Sequence, residues 1–431
     1  MRKDPKNVDL WLEFVQFQEE IYRFDGTKPR KLIERKISIV KKAIEFNSNE
    51  LQLILLHLRL ADEIEDSATL MKLWESYLKR ADGIIEYPLT VEWLIFLQIR
   101  FLAFSFDQVN EAFAAAFRKL QDPALYRLYF NFLNRCGYTE RIIAISQAVI
   151  EVNIEYFNYG EVDLDAYDDQ WESGLMDHIG DYVFHDLQKP NSYENVVQDT
   201  EIDLLRWIKT ERYRGNHFWH PLHFDEDDYE GQVMFDDVKD FLVIPKNQLD
   251  SLSIINTVLV ELGNSFFNHN LKEFKNWYLQ VHKKLFPFFK TDWKFIYRFF
   301  VLMPLDEVKN FLSANRDSLE CFLAYGKLQE SIGNQGMASK VFESIKKRSN
   351  DFDLSELAPQ FDTISEPVIE LGNDLKSSVY NLVRSNPGNK SLYMRIIEAT
   401  AVVDYNLAIE IFNLMEEQQL RIHTLLEEIE I

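Results

Sequence analysis

Apolar and polar positions alternate with a helical period along most of this sequence. Trp11, Phe14 and Val15 lie at helical spacing near the start, and a second amphipathic segment spans residues 32–46 after a break at Gly26. Each segment carries one apolar stripe opposite a charged face. The pattern predicts a unit of helix, turn and helix.

Similar units recur through the first part of the chain. Three further pairs are predicted: Leu51–Ile64 with Leu70–Ala81, Val91–Phe104 with Val109–Leu120, and Leu125–Leu133 with Arg141–Val152. A repeated helix pair buries its apolar face only by stacking on its neighbours, which is the organisation of a helical solenoid. We therefore predict an N-terminal helical-repeat array over residues 1–154.

The pattern resumes in the last third of the chain, where we predict a second array over residues 246–431. Its clearest repeat spans residues 318–349, with a turn at Gly333 and a small Ala338 that lets the two helices approach closely. Helices are also predicted at Asn247–Phe267, Phe274–Phe286, Asp374–Arg384, Leu392–Thr400 and Leu407–Met415.

Two features of this second array suggest further contacts. The aromatic stretch around Pro287 is expected to be buried against the middle of the chain, with a partner surface as the alternative. The sequence stops at Ile431 within an apolar periodic helix that has no cap, so we expect the array to continue in a longer parent protein or a partner to cover its end.

Residues 155–245 fit neither array. They hold 23 acidic and 6 basic side chains, a net charge of −17 out of −23 for the whole chain. Within the stretch Trp207–Val238, Gly215, Pro221 and Gly231 interrupt a run of aromatic and acidic residues that no continuous helix would tolerate. Aromatic residues are rare in disordered linkers, so we predict a folded but irregular acidic segment that joins the arrays.

Specific residues in this chain resemble a known family. An aromatic residue near the start of a first helix, a second one three residues on, and an alanine in the partner helix resemble half-a-TPR repeats (Trp11 with Phe14, Trp93 with Phe96, Ala43 and Ala115). The motif QWESG at Gln170–Gly174, Trp207 with Glu211, Trp219 with Pro221, and QVMFDDV at Gln232–Val238 resemble successive landmarks of the nuclear-RNAi-defective family of half-a-TPR repeat proteins.

This resemblance implies an all-α superhelical solenoid of antiparallel helix pairs that acts as a non-catalytic protein-interaction scaffold. The implied roles are nuclear RNA processing, RNA surveillance and small-RNA-directed silencing, with a nuclear localisation. The landmark residues become candidate structural anchors or interaction surface: Trp171, Trp207, Trp219, Phe235, Asp236 and Asp237.

The resemblance also implies partners, namely an exosome-associated RNA helicase or spliceosomal factors. Members of the family carry a long low-complexity N-terminal region that docks the helicase, whereas this sequence begins at its first repeat helix. We therefore expect a fragment or short form that lacks that region, which weakens the expectation of helicase binding.

Candidate chemistry in the middle segment has simpler structural interpretations. His217, His220 and His223 are spaced by three, as metal ligands can be, but Pro221 disfavours a shared helical face, so surface or hydrogen-bonded histidines are the preferred interpretation. Asp225 and Glu230 fail the pattern of a calcium-binding loop, because Glu230 stands where its glycine is required. We predict no cofactor and no metal.

Composition narrows the remaining function classes. No phosphate-binding glycine loop, nucleophile elbow or zinc-protease helix occurs, which argues against an enzyme. Cys136 and Cys321 are too few for a zinc ribbon and indicate a reducing compartment, and no apolar run reaches the length of a membrane span. The alternatives to a scaffold are a direct RNA-binding repeat module and an unrecognised enzyme that uses the His-rich middle segment.

Overall fold

The computed structural model describes residues 4–25, 29–100, 104–173, 176–185, 203–221, 233–266, 272–349, 353–360 and 374–426, together with Pro367 and Ile369. Within these ranges all regular structure is helical, which confirms the all-α prediction. None of the described helices is long and apolar enough to cross a membrane. The chain forms two compact units, residues 1–112 with 384–387 and residues 113–383 with 388–431.

The first unit is a series of helices in which each packs on the next. Its helices are α1 (Val8–Asp25), α2 (Pro29–Phe46), α3 (Leu51–Asp62), α4 (Ser67–Leu78), α5 (Gly83–Ile99) and the first half of α6 (Phe106–Leu120). Contacts run from α1 to α2, α2 to α3, α3 to α4 and α4 to α5. This nearest-neighbour packing is the solenoid arrangement that the periodic pattern predicts.

Large aromatic residues fill the core of the first unit. Trp11 packs with Ala43 and Leu53 and is 6% exposed, so the prediction that it is a core residue is confirmed. Trp74 is also buried, and its ring lies 5.4 Å from that of the half-buried Trp93. Ala43 is fully buried as predicted, whereas Ala115 is exposed, and its neighbours Ala114 and Ala116 are the buried ones. The small residues on the buried face of α6 are therefore Ala114 and Ala116.

The second unit contains the remaining helices. They are α7 (Leu125–Cys136), α8 (Thr139–Tyr159), α9 (Leu164–Glu172), α10 (Tyr182–His185), α11 (Asp203–His217), α12 (Gln248–Phe266), α13 (Lys272–Leu285), α14 (Trp293–Leu302), α15 (Leu305–Ala314), α16 (Leu319–Ser331), α17 (Gln335–Arg348), α18 (Leu375–Ser385), α19 (Lys390–Thr400) and α20 (Tyr405–Glu417). Short 3-10 turns occur at Phe235–Asp237, Lys239–Phe241 and Phe286–Phe288.

The core of this second unit is centred on α8, which packs on both α7 and α12. Twelve of the 21 residues of α8 are buried, including Ser146, Gln147 and Asn153, so it is a central helix surrounded on most sides. The aromatic stretch around Pro287 is largely buried, since Phe295, Phe299 and Phe300 are at most 1% exposed. The prediction that this aromatic stretch is buried is confirmed.

The repeat at residues 318–349 matches its prediction closely. The helices α16 and α17 pack on each other, and Gly333 forms the turn between them with a φ of +83°. Ala338 is 1% exposed. A β-carbon at Gly326 would lie 2.5 Å from the Phe342 ring, so glycine on α16 also permits the close approach.

Several element boundaries differ from their predictions. The helix α5 begins at Gly83 rather than near Val91. It contains Pro88, which has no backbone N–H and therefore cannot donate the helical hydrogen bond to the Ile84 carbonyl oxygen. The helix α11 continues through Gly215 to His217, because its buried face outweighs the glycine penalty of about 1 kcal/mol. The motif at Phe235–Asp237 starts a 3-10 turn and not an α-helix.

The predicted helix at the end of the sequence is not found in the part that the structure describes. The last described helix, α20, ends at Glu417, and Gln419 has a positive φ of 57° that turns the chain away from the helix axis. Residues 420–426 then form no α-helix. The predicted division of the chain near residues 154 and 245 stays a prediction, and α8 runs without a break across residue 154.

Candidate functional site

Trp171 attaches the chain near residue 233 to α9. Its side chain is 1% exposed, and its Nε1 donates a hydrogen bond to the Val233 carbonyl oxygen at 3.0 Å. The Phe235 ring lies 5.9 Å from the Trp171 ring, and the Phe235 backbone N–H donates to Glu172 at 3.2 Å. The structure therefore brings Trp171 and Phe235 together as one buried contact.

A buried carboxylate on α8 organises the residues beside this contact. Glu151 accepts hydrogen bonds of 2.5 Å from both the Tyr167 hydroxyl and the Ile179 backbone N–H, and it lies 3.0 Å from His178 Nδ1. Burial and the neighbouring Glu151 raise the pKa of Tyr167 well above its usual value. Burial lowers the pKa of His178 and the contacts with Glu151 raise it, with a net rise. The carboxylate of Glu151 thus has hydrogen-bond donors for both of its oxygens, which a poorly solvated carboxylate requires.

Asp236 and Asp237 differ in their surroundings. Asp236 is exposed and pairs with Lys239 in the same short turn. Asp237 accepts from the Met234 backbone N–H at 3.2 Å and lies 3.1 Å from an Arg141 nitrogen on α8. Asp237 thus fastens the turn to α8, while Asp236 faces solvent.

Trp207 contacts the end of the described chain, residues 418–426, which we call the C-terminal strap. Its side chain is fully buried, its Nε1 donates to the Thr424 carbonyl oxygen at 2.7 Å, and its ring stands edge-on to Phe412 at 4.9 Å. Arg214, which also lies on α11, donates a hydrogen bond to the His423 carbonyl oxygen. Trp207 is therefore an anchor for a segment more than two hundred residues away in sequence.

Glu211, also on α11, is 1% exposed and completes the attachment of the C-terminal strap. Its carboxylate accepts from the His423 backbone N–H at 2.9 and 3.1 Å and from Lys390 Nζ at 2.6 Å. A second buried pair joins Arg421 of the strap to Glu140 of α8 at 2.8 Å. Burial raises the pKa of Glu140 and the guanidinium of Arg421 opposes the rise. Removing one partner of such a buried pair typically costs about 3–5 kcal/mol.

Trp219 lies in a third set of contacts, with its side chain 1% exposed. Its ring stands edge-on to Phe184, Phe266 and Phe274 at 5.6, 6.3 and 5.9 Å. The six predicted residues thus make three distinct sets of contacts, and their four aromatic side chains are all buried. Whether Asp236 and Asp237 belong to an interaction surface stays a prediction.

The described histidines of the middle segment have no metal-binding arrangement. His217 Nδ1 donates to the Tyr213 carbonyl oxygen at 2.7 Å, and His220 is 6% exposed, with burial lowering its pKa to about 4. Within the described ranges no three or more His, Cys, Asp or Glu side chains could hold a metal ion together. His223, Asp225, Asp227 and Glu230 lie outside the described residues.

Sequence reasoning missed the ionisable residues that are buried or partly buried in the second unit: Glu140, Glu151, His178, Arg214 and Arg421. In an amphipathic helical pattern, a glutamate such as Glu211 is expected on the solvent-exposed face of the helix. Its position four residues after Trp207, on the same helix face, was the only available signal that it is buried. The aromatic side chains of this site pack on one another and its charged side chains form pairs, as in a structural core.

Comparison with known proteins identifies relatives of this chain. The family model described as NRDE-2, necessary for RNA interference, matches residues 1–266. The human protein named nuclear exosome regulator NRDE2 aligns over 312 residues at 23% identity, covering 56% of this chain and 26% of the human protein, and the mouse protein of the same name gives the same figures.

A protein of that name from Dictyostelium discoideum aligns over 180 residues at 24% identity, covering 35% of this chain and 14% of the relative. The chain thus spans about a quarter or less of the length of these curated relatives. No solved structure matches. Because the family model covers more than half of its residues, this chain belongs to the NRDE-2 family.

Proposed function

We propose that this chain is a non-catalytic protein-interaction scaffold that acts in nuclear RNA processing and surveillance and in small-RNA-directed silencing. The names of its relatives, nuclear exosome regulators, support a nuclear protein with a role in RNA processing. The description of the family model, necessary for RNA interference, supports the silencing role.

One structural observation carries the scaffold part of the proposal. Four large aromatic side chains of the middle segment, those of Trp171, Trp207, Trp219 and Phe235, are buried, while several of its carboxylates lie outside, for example Asp165 and Asp169 on the exposed face of α9. A rigid core with a charged outer face suits protein recognition, because complementary charge gives specificity and speeds association. A net charge of −23 disfavours general binding to a phosphate backbone.

The names of the relatives support exosome-related partners, and the more specific candidates rest on the family resemblance and on surface charge. An exosome-associated RNA helicase or a spliceosomal factor that presents Lys and Arg side chains would complement the exposed face of α9. The residues that we place at this surface are Asp165, Asp169 and Asp236, which are exposed.

Capture from nuclear extract tests the proposal. The immobilised 431-residue chain should recover exosome-associated helicase or spliceosomal proteins after the extract has been treated with ribonuclease. The double variant Asp165→Asn, Asp169→Asn should recover less. A matched variant, Glu13→Gln with Glu20→Gln on the exposed face of α1, removes the same charge elsewhere and should recover as much as the unchanged chain.

Two results would contradict the proposal. Recovery that disappears with ribonuclease would mean that RNA, and not a protein surface, connects the chain to these factors. Recovery no greater than that of empty beads would remove the scaffold role in these pathways.

A further inference from the structure

A cavity of about 430 Å³ lies among α2, α3, α4 and α5 in the first unit. Its volume falls within the range of about 300–1,000 Å³ that is usual for ligand pockets. His57 and Tyr77 line it, with His57 Nδ1 2.6 Å from the Tyr77 hydroxyl oxygen. These two side chains are 3% and 9% exposed, so little of either ring is open to a ligand.

Two cations border this cavity. Lys41 on α2 and Arg80 directly after α4 are both exposed, and within the described residues neither forms an ion pair. Burial and the charge of Lys41 lower the pKa of His57 to about 4. Burial raises the pKa of Tyr77 to about 12, and the charge of Arg80 opposes that rise. Each positive charge therefore acts on one member of the His57–Tyr77 pair.

Part of the cavity wall is aliphatic. Ile54 and Ile85 are at most 8% exposed, and the partly buried Ile44 and Leu73 also line the space. An aliphatic side chain placed there would lose water-exposed surface, which stabilises binding by roughly 25 cal/mol per Å² of apolar area. The site thus combines an apolar interior with positive charge at its border.

This combination favours a peptide over RNA. Sequence-tolerant binding of single-stranded RNA relies on aromatic faces on which bases stack, and the His57 and Tyr77 rings are buried. The carboxylate of Glu45, which also lines the cavity, opposes any negative ligand, so the site suits one or two negative charges better than a chain of phosphates. Two cations match one or two carboxylates on a short segment.

We propose that this cavity binds a protein segment in which an Asp or Glu side chain pairs with Lys41 and Arg80 and a neighbouring aliphatic side chain enters between Ile54 and Leu73. The proposal rests on the proposed scaffold function only in taking the ligand to be a protein. Recovery of nuclear factors tests the function, and binding of purified peptides tests the cavity, so failure of one is distinct from failure of the other.

Selection of random ten-residue peptides on the intact 431-residue chain tests this site. Peptides that combine Asp or Glu with Leu, Ile or Val should be enriched. Fluorescence polarisation should then show roughly tenfold weaker binding of a selected peptide to the double variant Lys41→Glu, Arg80→Glu. Ser76→Phe, which fills the cavity without a change of charge, should weaken binding of the same peptide by a similar factor.

The matched control is the double variant Lys42→Glu, Lys79→Glu. These exposed cations are the sequence neighbours of Lys41 and Arg80, and they do not line the cavity. It introduces the same charge change and should leave peptide binding within about twofold of the unchanged chain. Circular dichroism should show that every variant retains its helices. Selection of basic peptides, of no peptides, or of peptides that bind all variants equally would overturn the proposal.

Discussion

Glu211 offers the sharpest test of how the C-terminal strap is held. The change Glu211→Ala leaves the ammonium of Lys390, whose side chain is 12% exposed, without its carboxylate partner. It also leaves the buried His423 backbone N–H without an acceptor. Both groups were desolvated on folding, so neither regains the solvation that it has in the unfolded chain.

The expected loss follows from this burial. Removing one partner of a buried ion pair costs about 3–5 kcal/mol, and we expect Glu211→Ala to lower the free energy of unfolding of the second unit by that amount. The matched control is Glu398→Ala. Glu398 pairs with Arg212 at 2.5 Å and joins the same two helices, α11 and α19, but both side chains are nearly half exposed. An exposed pair contributes at most about 1 kcal/mol.

Urea unfolding followed by circular dichroism measures the difference in stability. Amide hydrogen exchange over residues 418–426 locates it, because faster exchange in the strap would show that its attachment has weakened. Equal losses of less than about 1 kcal/mol for Glu211→Ala and Glu398→Ala, with unchanged exchange in the strap, would refute the assignment of Glu211 as a buried anchor.

The remaining predictions concern the core, the turns, pH and metal. Trp11→Ala should cost about 3–5 kcal/mol in thermal melting, because the indole is buried and donates to the Pro5 carbonyl oxygen at 2.8 Å; a loss near zero would contradict its core role. Gly333→Ala should destabilise the protein by about 1–2 kcal/mol, since the φ of Gly333 is +83°. Gly336→Ala inside α17 should instead stabilise it by up to about 1 kcal/mol. Changes in the free energy of unfolding that have the same sign for both variants would contradict the backbone argument. Burial lowers the pKa of His282 to about 3, so the stabilisation that comes from its neutral form is present above pH 6.5 and is lost as the pH falls towards 3. His282→Phe should therefore make the free energy of unfolding in urea less sensitive to acid across this window. An unchanged dependence of that free energy on pH would contradict this prediction. Metal analysis of protein purified without a His-tag should find no stoichiometric zinc, and zinc that is lost in His220→Ala would overturn the structural interpretation of the histidines.

The periodic pattern was sufficient to predict the paired helices. Each pair carries its own apolar stripe, and local signals such as the turn glycine at Gly333 and the small Ala338 fix how α16 and α17 meet. Pattern reading failed where tertiary packing outweighs local preference. Pro88 lies inside α5 and Gly215 inside α11, because the buried faces of these helices offset the cost of an unfavourable residue.

The candidate site was only partly readable from the sequence. The aromatic landmarks Trp171, Trp207 and Trp219 could be located from the family resemblance, and their size favours burial. Their partners could not be deduced, since Trp207 bonds Thr424 far along the chain. The spacing of four residues between Trp207 and Glu211 places both on one helix face, but it does not identify the partners of Glu211, which come from elements that are distant in sequence.

Titration with single-stranded RNA tests the central claim, that this chain recognises proteins and is not a nucleic-acid-binding module, most directly. Fluorescence anisotropy at near-physiological salt should show no saturation below roughly 100 µM RNA and little change of affinity with salt, because the net charge is −23. Saturable binding below about 1 µM, weakening steeply as salt is added, would contradict the claim and favour an RNA-binding repeat module.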